Sequence, residues 1–151
     1  MKAHNKKQLQ QDRVNFYGLD LYSLYRSIDA VIVALERVDK KLAQQARAYY
    51  SCFEQFRHDP QQYGYSLFLH ASHSCQEAAF AALGELEEKE LQLFNDQQIS
   101  EDEVFSLLQN ARVVQNAEEY YRSLFINEVS NWNLRDTHMM QTLEEILKQQ
   151  T

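Results

Sequence analysis

Only three glycines, Gly18, Gly64 and Gly84, and a single proline, Pro60, punctuate 151 residues. A sandwich or barrel of short strands needs a turn about every ten residues, and turns draw on glycine and proline for their special backbone angles. With so few of either, the chain is left with helices joined by short connections. The balance of 44% hydrophobic and 25% charged residues is that of a globular chain able to close a core.

The apolar periodicity agrees. Leu21, Leu24, Ile28, Val31, Ile32 and Leu35 recur at three- and four-residue steps and give a first helix one buried face, with Tyr25 and Val38 at its margins. Asp39 predicts the cap of a second helix with Leu42, Ala46, Tyr49, Tyr50, Phe53 and Phe56 inward. His58-Asp59-Pro60 ends it, because proline cannot continue the hydrogen-bond ladder. A looser stretch follows through Tyr63, Gly64 and Leu67 to His73. Ser74 with Glu77, and Ser100 with Glu103, have the spacing of capping boxes opening a third and a fourth helix. Ala78 to Phe94 run along the third. The fourth carries a continuous stripe from Val104 through Leu107, Ala111, Val114, Ala117 and Tyr121. Asn127–Asn131 reads as a break, and Asn133 as the cap of a fifth helix with Met139, Leu143, Ile146 and Leu147 inward. The expected fold is mainly α, about five helices in a compact antiparallel array. Residues 1–13 form a polar tail and 14–148 one domain. Val14–Leu19, mostly apolar and closed by Gly18 and Asp20, suits a short strand buried on both faces.

Several function classes are excluded. No apolar run reaches the roughly 18 residues of a membrane span, and Met1–Asp12 lacks the apolar centre of a secretory signal. Cys52 and Cys75, without CxxC spacing, read as two buried thiols in a reducing cytoplasm. The net charge of −7 is uneven: residues 61–151 carry fifteen acidic side chains against five basic ones. Such a surface repels nucleic acid and anionic lipid. His70, His73 and Cys75 have metal-like spacing, but a structural zinc site needs a fourth ligand and an ordered surround, so these are read as loop residues and no metal or cofactor is expected. Ser23, Ser27 and Ser51 lack the G-x-S-x-G context of a nucleophile elbow.

Four stretches are not explained by helix packing alone: Phe16–Leu24 (FYGLDLYSL), Ser74–Glu77 (SCQE), Gln109–Arg122 (QNARVVQNAEEYYR) and Trp132–Met139 (WNLRDTHM). In this order and spacing they resemble the middle of erythromycin-esterase-family proteins, over about Val14–Leu147. That family includes macrolide esterases and homologues labelled as succinoglycan-biosynthesis proteins. The resemblance implies ester hydrolysis in which a histidine, supported by glutamate, acts as general base on water. It also implies an upstream Gly-Glu-x-x-His-Gly motif and a downstream His-Asn-x-His segment. Neither occurs in this sequence, so no catalytic residue carries over. The chain is therefore expected to be a truncated, helical part of a carboxylic-ester hydrolase, inactive alone. The partners expected are the missing esterase segments or a second copy. The alternatives are a helical protein–protein interaction or self-associating module, or one piece of a split esterase.

By the same resemblance, Asp20 lies at the carboxyl end of a sheet strand, where ligands of open α/β sheets bind. Capping of the following helix explains Asp20 equally well. Arg135 and Asp136 are candidates for the cleft wall, against a dipole-complementing aspartate and an arginine paired with an acidic neighbour. His138 is a candidate base if a carboxylate orients it, against half-buried packing. Asn116, Glu118 and Tyr120 read mainly as structural.

Overall fold

The computed structural model describes residues 17–95, 99–126 and 128–150, and six α-helices account for most of them, with no strand among them. A 3-10 turn, Leu21–Ser23, leads into α1 (Leu24–Val38). Then come α2 (Lys40–Tyr50), which continues as a 3-10 turn over Ser51–Phe56, and α3 (Pro60–Phe68). The last three are α4 (Gln76–Asn95), α5 (Glu101–Ser123) and α6 (Glu128–Gln150). The fold is mainly α. The polar tail 1–13 and Val14–Phe16 lie outside the described residues, while Tyr17–Leu19 have no regular structure, so the strand expected over Val14–Leu19 has no counterpart among the described residues.

Local chemistry sets the helix ends. Asp39 accepts hydrogen bonds from the Lys41 and Leu42 amides, both at 3.0 Å, which satisfies two of the unpaired donors at the start of α2. The Ser100–Glu103 capping box closes in both directions: the Glu103 amide donates to Ser100 Oγ and the Ser100 amide to Glu103 Oε2. The Ser74–Glu77 box does not form. Ser74 Oγ accepts from the Gln76 amide and donates to the buried carboxylate of Glu118, and α4 begins at Gln76.

The segment read as loose contains α3. Asp59 caps it and Pro60 occupies its first turn, where the missing N–H costs nothing. Gly64 lets α3 reach α5: a Cβ there would stand 1.9 Å from the Tyr121 carbonyl oxygen. His70, at φ 55°, closes the helix in the left-handed conformation, with its amide bonded to Leu67 O and that of Ala71 to Ser66 O.

Helix α5 is the axis, packed against α1, α3, α4 and α6. Its inward residues Ala111, Val114 and Ala117 are fully buried, small side chains that let neighbours approach closely. Tyr50, Phe53 and Tyr63 fill the space between α2, α3 and α5, each burial contributing about 1.5–3 kcal/mol. On α4 the buried residues are Ala79, Ala82, Leu83, Leu86 and Leu93, whereas Phe80, Leu91 and Phe94 face outward.

Helix α6 departs most from expectation. It starts at Glu128, so Glu128–Asn131 of the expected break are helical, while Asn127 lies outside the described residues and Asn133 stands inside the helix and not at its cap. Among its described side chains the buried ones are polar, namely Asn131, His138 and Thr142, while Trp132, Met140, Leu143 and Leu147 are exposed. Leu143 and Leu147 were expected inward; α6 packs on α5 through its polar side instead.

Cys52 and Cys75 are joined in a disulfide, with Cα atoms 6.0 Å apart, in place of the two thiols expected. The bond ties the turn after α2 to the start of α4. No helix among the described residues is long and apolar enough to cross a membrane.

Candidate functional site

Three of the four candidate residues converge where the Leu21 turn meets α6. Asp20 has extended backbone angles and its Oδ1 accepts from the Leu21 amide at 2.7 Å, so it does cap the turn. The same carboxylate takes a bidentate fork from Arg135, Nε to Oδ1 at 3.0 Å and Nη2 to Oδ2 at 2.6 Å. The guanidinium lies over the Tyr22 ring at 4.8 Å and the Trp132 ring at 5.7 Å. Tyr22 in turn meets Tyr120 hydroxyl to hydroxyl at 3.5 Å. Residues 115 positions apart are thereby stapled, by the planar geometry that arginine supplies and lysine does not. The Arg135 hydrogen bonds hold the Asp20 carboxyl below its ordinary range, outweighing burial, and Asp20 in turn raises Arg135.

One turn further along α6, His138 is buried. Asn116 Nδ2 lies 2.8 Å from its Nδ1, and Thr142 Oγ1 lies 3.4 Å from its Nε2. With the Asn116 amide donating, the neutral ring carries its proton on Nε2, and its one basic lone pair is occupied. Burial lowers the His138 pKa, opposed in part by the Asp20 charge. Asp136, the fourth candidate, is exposed and makes no hydrogen bond or ion pair among the described residues.

Two pockets flank the seam between α5 and α6. The first, about 330 Å³, has Asp20, Ser23 and Ser27 on one side and Asp102, Ser106, Gln109 and Asn110 from α5 on another. Tyr17, Phe105, Val113 and Ile146 add apolar surface to it. The second, about 250 Å³, is lined by Arg112, Asn116, His138, Gln141 and Glu145, and shares Gln109 and Thr142 with the first. Among the described residues no cluster of three or more metal-ligating side chains converges, and the Cys75 sulfur is bonded to Cys52.

A second polar cluster lies in the core. Glu118, 1% exposed, accepts from the Tyr63 hydroxyl at 2.6 Å, from Ser74 Oγ at 3.1 Å and from Arg122 Nε at 2.9 Å. The Tyr63 oxygen also accepts from the Cys75 amide at 2.8 Å. Burial first, then the Glu118 contact, raises the Tyr63 pKa. The knot ties α3, the entry to α4 and α5 together. The sequence carries its signal: Glu118 falls four residues after Val114 and three before Tyr121, on the buried stripe of α5, where a carboxylate must be paired.

A neutralised ion pair, a histidine whose acceptor nitrogen is taken and a seam of amides and hydroxyls can brace a wall and hold a ligand. The erythromycin esterase family model matches residues 1–151, and no solved structure matches the chain.

Proposed function

Since the chain belongs to the erythromycin esterase family, we propose that it is the helical part of a carboxylic-ester hydrolase, supplying a cleft wall at Asp20, Arg135, Asp136 and His138 and no catalytic base. The observation that carries this reading is the Asp20–Arg135 fork, which fixes the FYGLDLYSL and WNLRDTHM stretches against each other beside an open pocket. His138, the one histidine at the site among the described residues, has its lone pair engaged by Asn116 and its ring buried. On this reading the base comes from other segments, such as those carrying the Gly-Glu-x-x-His-Gly and His-Asn-x-His motifs. The purified chain is expected to hydrolyse p-nitrophenyl and lactone esters no faster than buffer. Clear turnover that disappears in His138→Ala would overturn the reading.

A second reading has its own observation. Trp132, Met140, Leu143 and Leu147, at helical spacing on the outer side of α6, leave an apolar strip open. We infer from it a surface for a second copy or for the missing esterase segments. Light scattering after gel filtration separates the outcomes: a dimer that Leu143→Gln with Leu147→Gln dissociates supports self-association, and a monomer at high concentration refutes it. A cytoplasmic setting, which two thiols would suit, requires the Cys52–Cys75 pair to be reduced there. Thiol titration of protein denatured directly from its source tests that placement.

A further inference from the structure

We propose that the pocket between the Leu21 turn, α5 and α6 binds a sugar ring that carries no negative charge. Its volume of about 330 Å³ stands at the low end of the roughly 300–1,000 Å³ that small-molecule sites occupy, a fit for one or two rings. Part of the lining is apolar: Phe105 and Val113 come from α5 and Ile146 from α6, surface on which the C–H face of a pyranose can lie.

The polar groups of the pocket are not all spent within the protein. Asp102, Ser106 Oγ and the Gln109 side chain form no hydrogen bond with any described residue. Asp102, Ser106 and Gln109 stand at three- and four-residue steps, so they share one face of α5. A carboxylate and a planar amide each bridge neighbouring hydroxyls of a ring, and an alcohol adds a donor and an acceptor. Three such groups beside apolar surface match a molecule with hydroxyls along its edge and hydrocarbon on its face.

Charge sets the second half of the specificity. No lysine, arginine or histidine lines this pocket among the described residues. Arg135 stands behind Asp20, locked in its bidentate pair, and both Asp20 oxygens are occupied by that pair and the Leu21 amide. Asp102 is thus the uncompensated charge at the opening. An anionic sugar meets repulsion there, and an amino sugar meets attraction.

The inference rests on the cleft-wall reading for its location, while its test reads binding and not turnover, so each can fail without the other. Saturation-transfer NMR on the full chain with glucose, glucosamine and glucuronate, each at about 10 mM, probes affinities in the millimolar range. Expected are signals for glucose and glucosamine, with glucosamine binding about two- to threefold tighter than glucose and glucuronate weaker than glucose by a similar factor. Gln109→Leu, close in volume, is expected to abolish transfer. Asp102→Asn, at an exposed position that does not threaten folding, is expected to bring glucosamine level with glucose. No transfer to any sugar from folded protein, glucuronate equal to glucose, or binding indifferent to both substitutions would overturn the proposal.

Discussion

Tyr63→Phe removes one oxygen atom and leaves the ring, which packs on Phe53 and Phe56 at centroid distances of 5.6 and 5.4 Å. That oxygen serves two buried groups: it donates to Glu118 and accepts from the Cys75 amide. Without it the Cys75 N–H has no partner, at a cost of about 1–3 kcal/mol. A charge-assisted hydrogen bond, worth about 1.5–3 kcal/mol, is lost as well. Ser74 and Arg122 continue to supply the carboxylate, so the lower half of each range applies and the total is about 3 kcal/mol. That is a fifth or more of the roughly 5–15 kcal/mol that holds a domain together. For a chain of this size it lowers Tm by about 6–12 °C. Urea titration followed by far-UV circular dichroism measures it, with the m value unchanged. Tyr25→Phe is the control, since that hydroxyl makes one neutral bond, to the Phe53 carbonyl at 2.8 Å, worth about 1 kcal/mol. A cost for Tyr63→Phe no larger than the control's would refute the account of the knot.

Gly64→Ala forces a methyl into the Tyr121 backbone and is expected to destabilise by about 3 kcal/mol; Gly84→Ala, in the middle of α4 with open space at its Cβ, is expected to stabilise by about 0.5–1 kcal/mol, both by denaturant titration. Reducing the Cys52–Cys75 bond, which spans 23 positions, is expected to cost about 3 kcal/mol, seen as a lower Tm with reductant; denatured, unreduced protein should titrate no free thiol. The pH dependence has two windows. Burial holds His138 below its ordinary 6.5, so the unfolded chain binds more protons and stability falls as pH drops through 6.5; His138→Gln is expected to flatten that slope in pH-resolved unfolding. Glu103, held at about 2 by the Ser100 amide and Arg37, contributes stability present above 4.5 and lost as pH falls towards 2; Asp20, Glu54 and Glu145 are lowered too, so Glu103→Gln is expected to reduce this acid step without abolishing it.

Where a local rule and the tertiary contact agree, the sequence is readable. Asp39 and the Ser100–Glu103 pair cap where their spacing says, because capping needs only neighbours within one turn. The stripes of α1 and α5 are buried as their periodicity requires. The misses share a long-range cause. Gly64 has the look of a loop residue, yet its function is to let α3 touch α5, a contact 57 positions away. Ser74 has the spacing of a capping box but is drawn to Glu118 across 44 positions. The Cys52–Cys75 bond likewise depends on where α2 and α4 lie, which no spacing rule encodes. At the site, Asp20, Arg135 and His138 were legible as candidates, while their partners Tyr22 and Asn116 were not, since pairing is a property of the assembled seam.

Helix α6 shows why the remaining part was out of reach. Reading its inward face from apolar residues assumes that burial of hydrocarbon decides which side docks. Here the docked side carries Asn131, Arg135, His138 and Thr142; α5 and the Leu21 turn supply Ser123, Asp20 and Asn116 as partners for the first three, Thr142 faces His138, and the buried Asn131 amide nitrogen is left without a partner. Such a seam gains little from hydrophobic burial and much from fixed hydrogen-bond geometry. Polar groups locked in one arrangement beside open pockets define a surface more sharply than an apolar contact would, which is the property a cleft wall needs. The apolar face left outward is the complementary half of the same argument. A helix that spends its polar side on its own domain leaves its hydrocarbon outward, so substitutions on the two faces are expected to separate: Leu143→Gln and Leu147→Gln should leave the fold's stability unchanged and test the proposed association by light scattering, whereas Asn116→Leu should lower the stability of the seam.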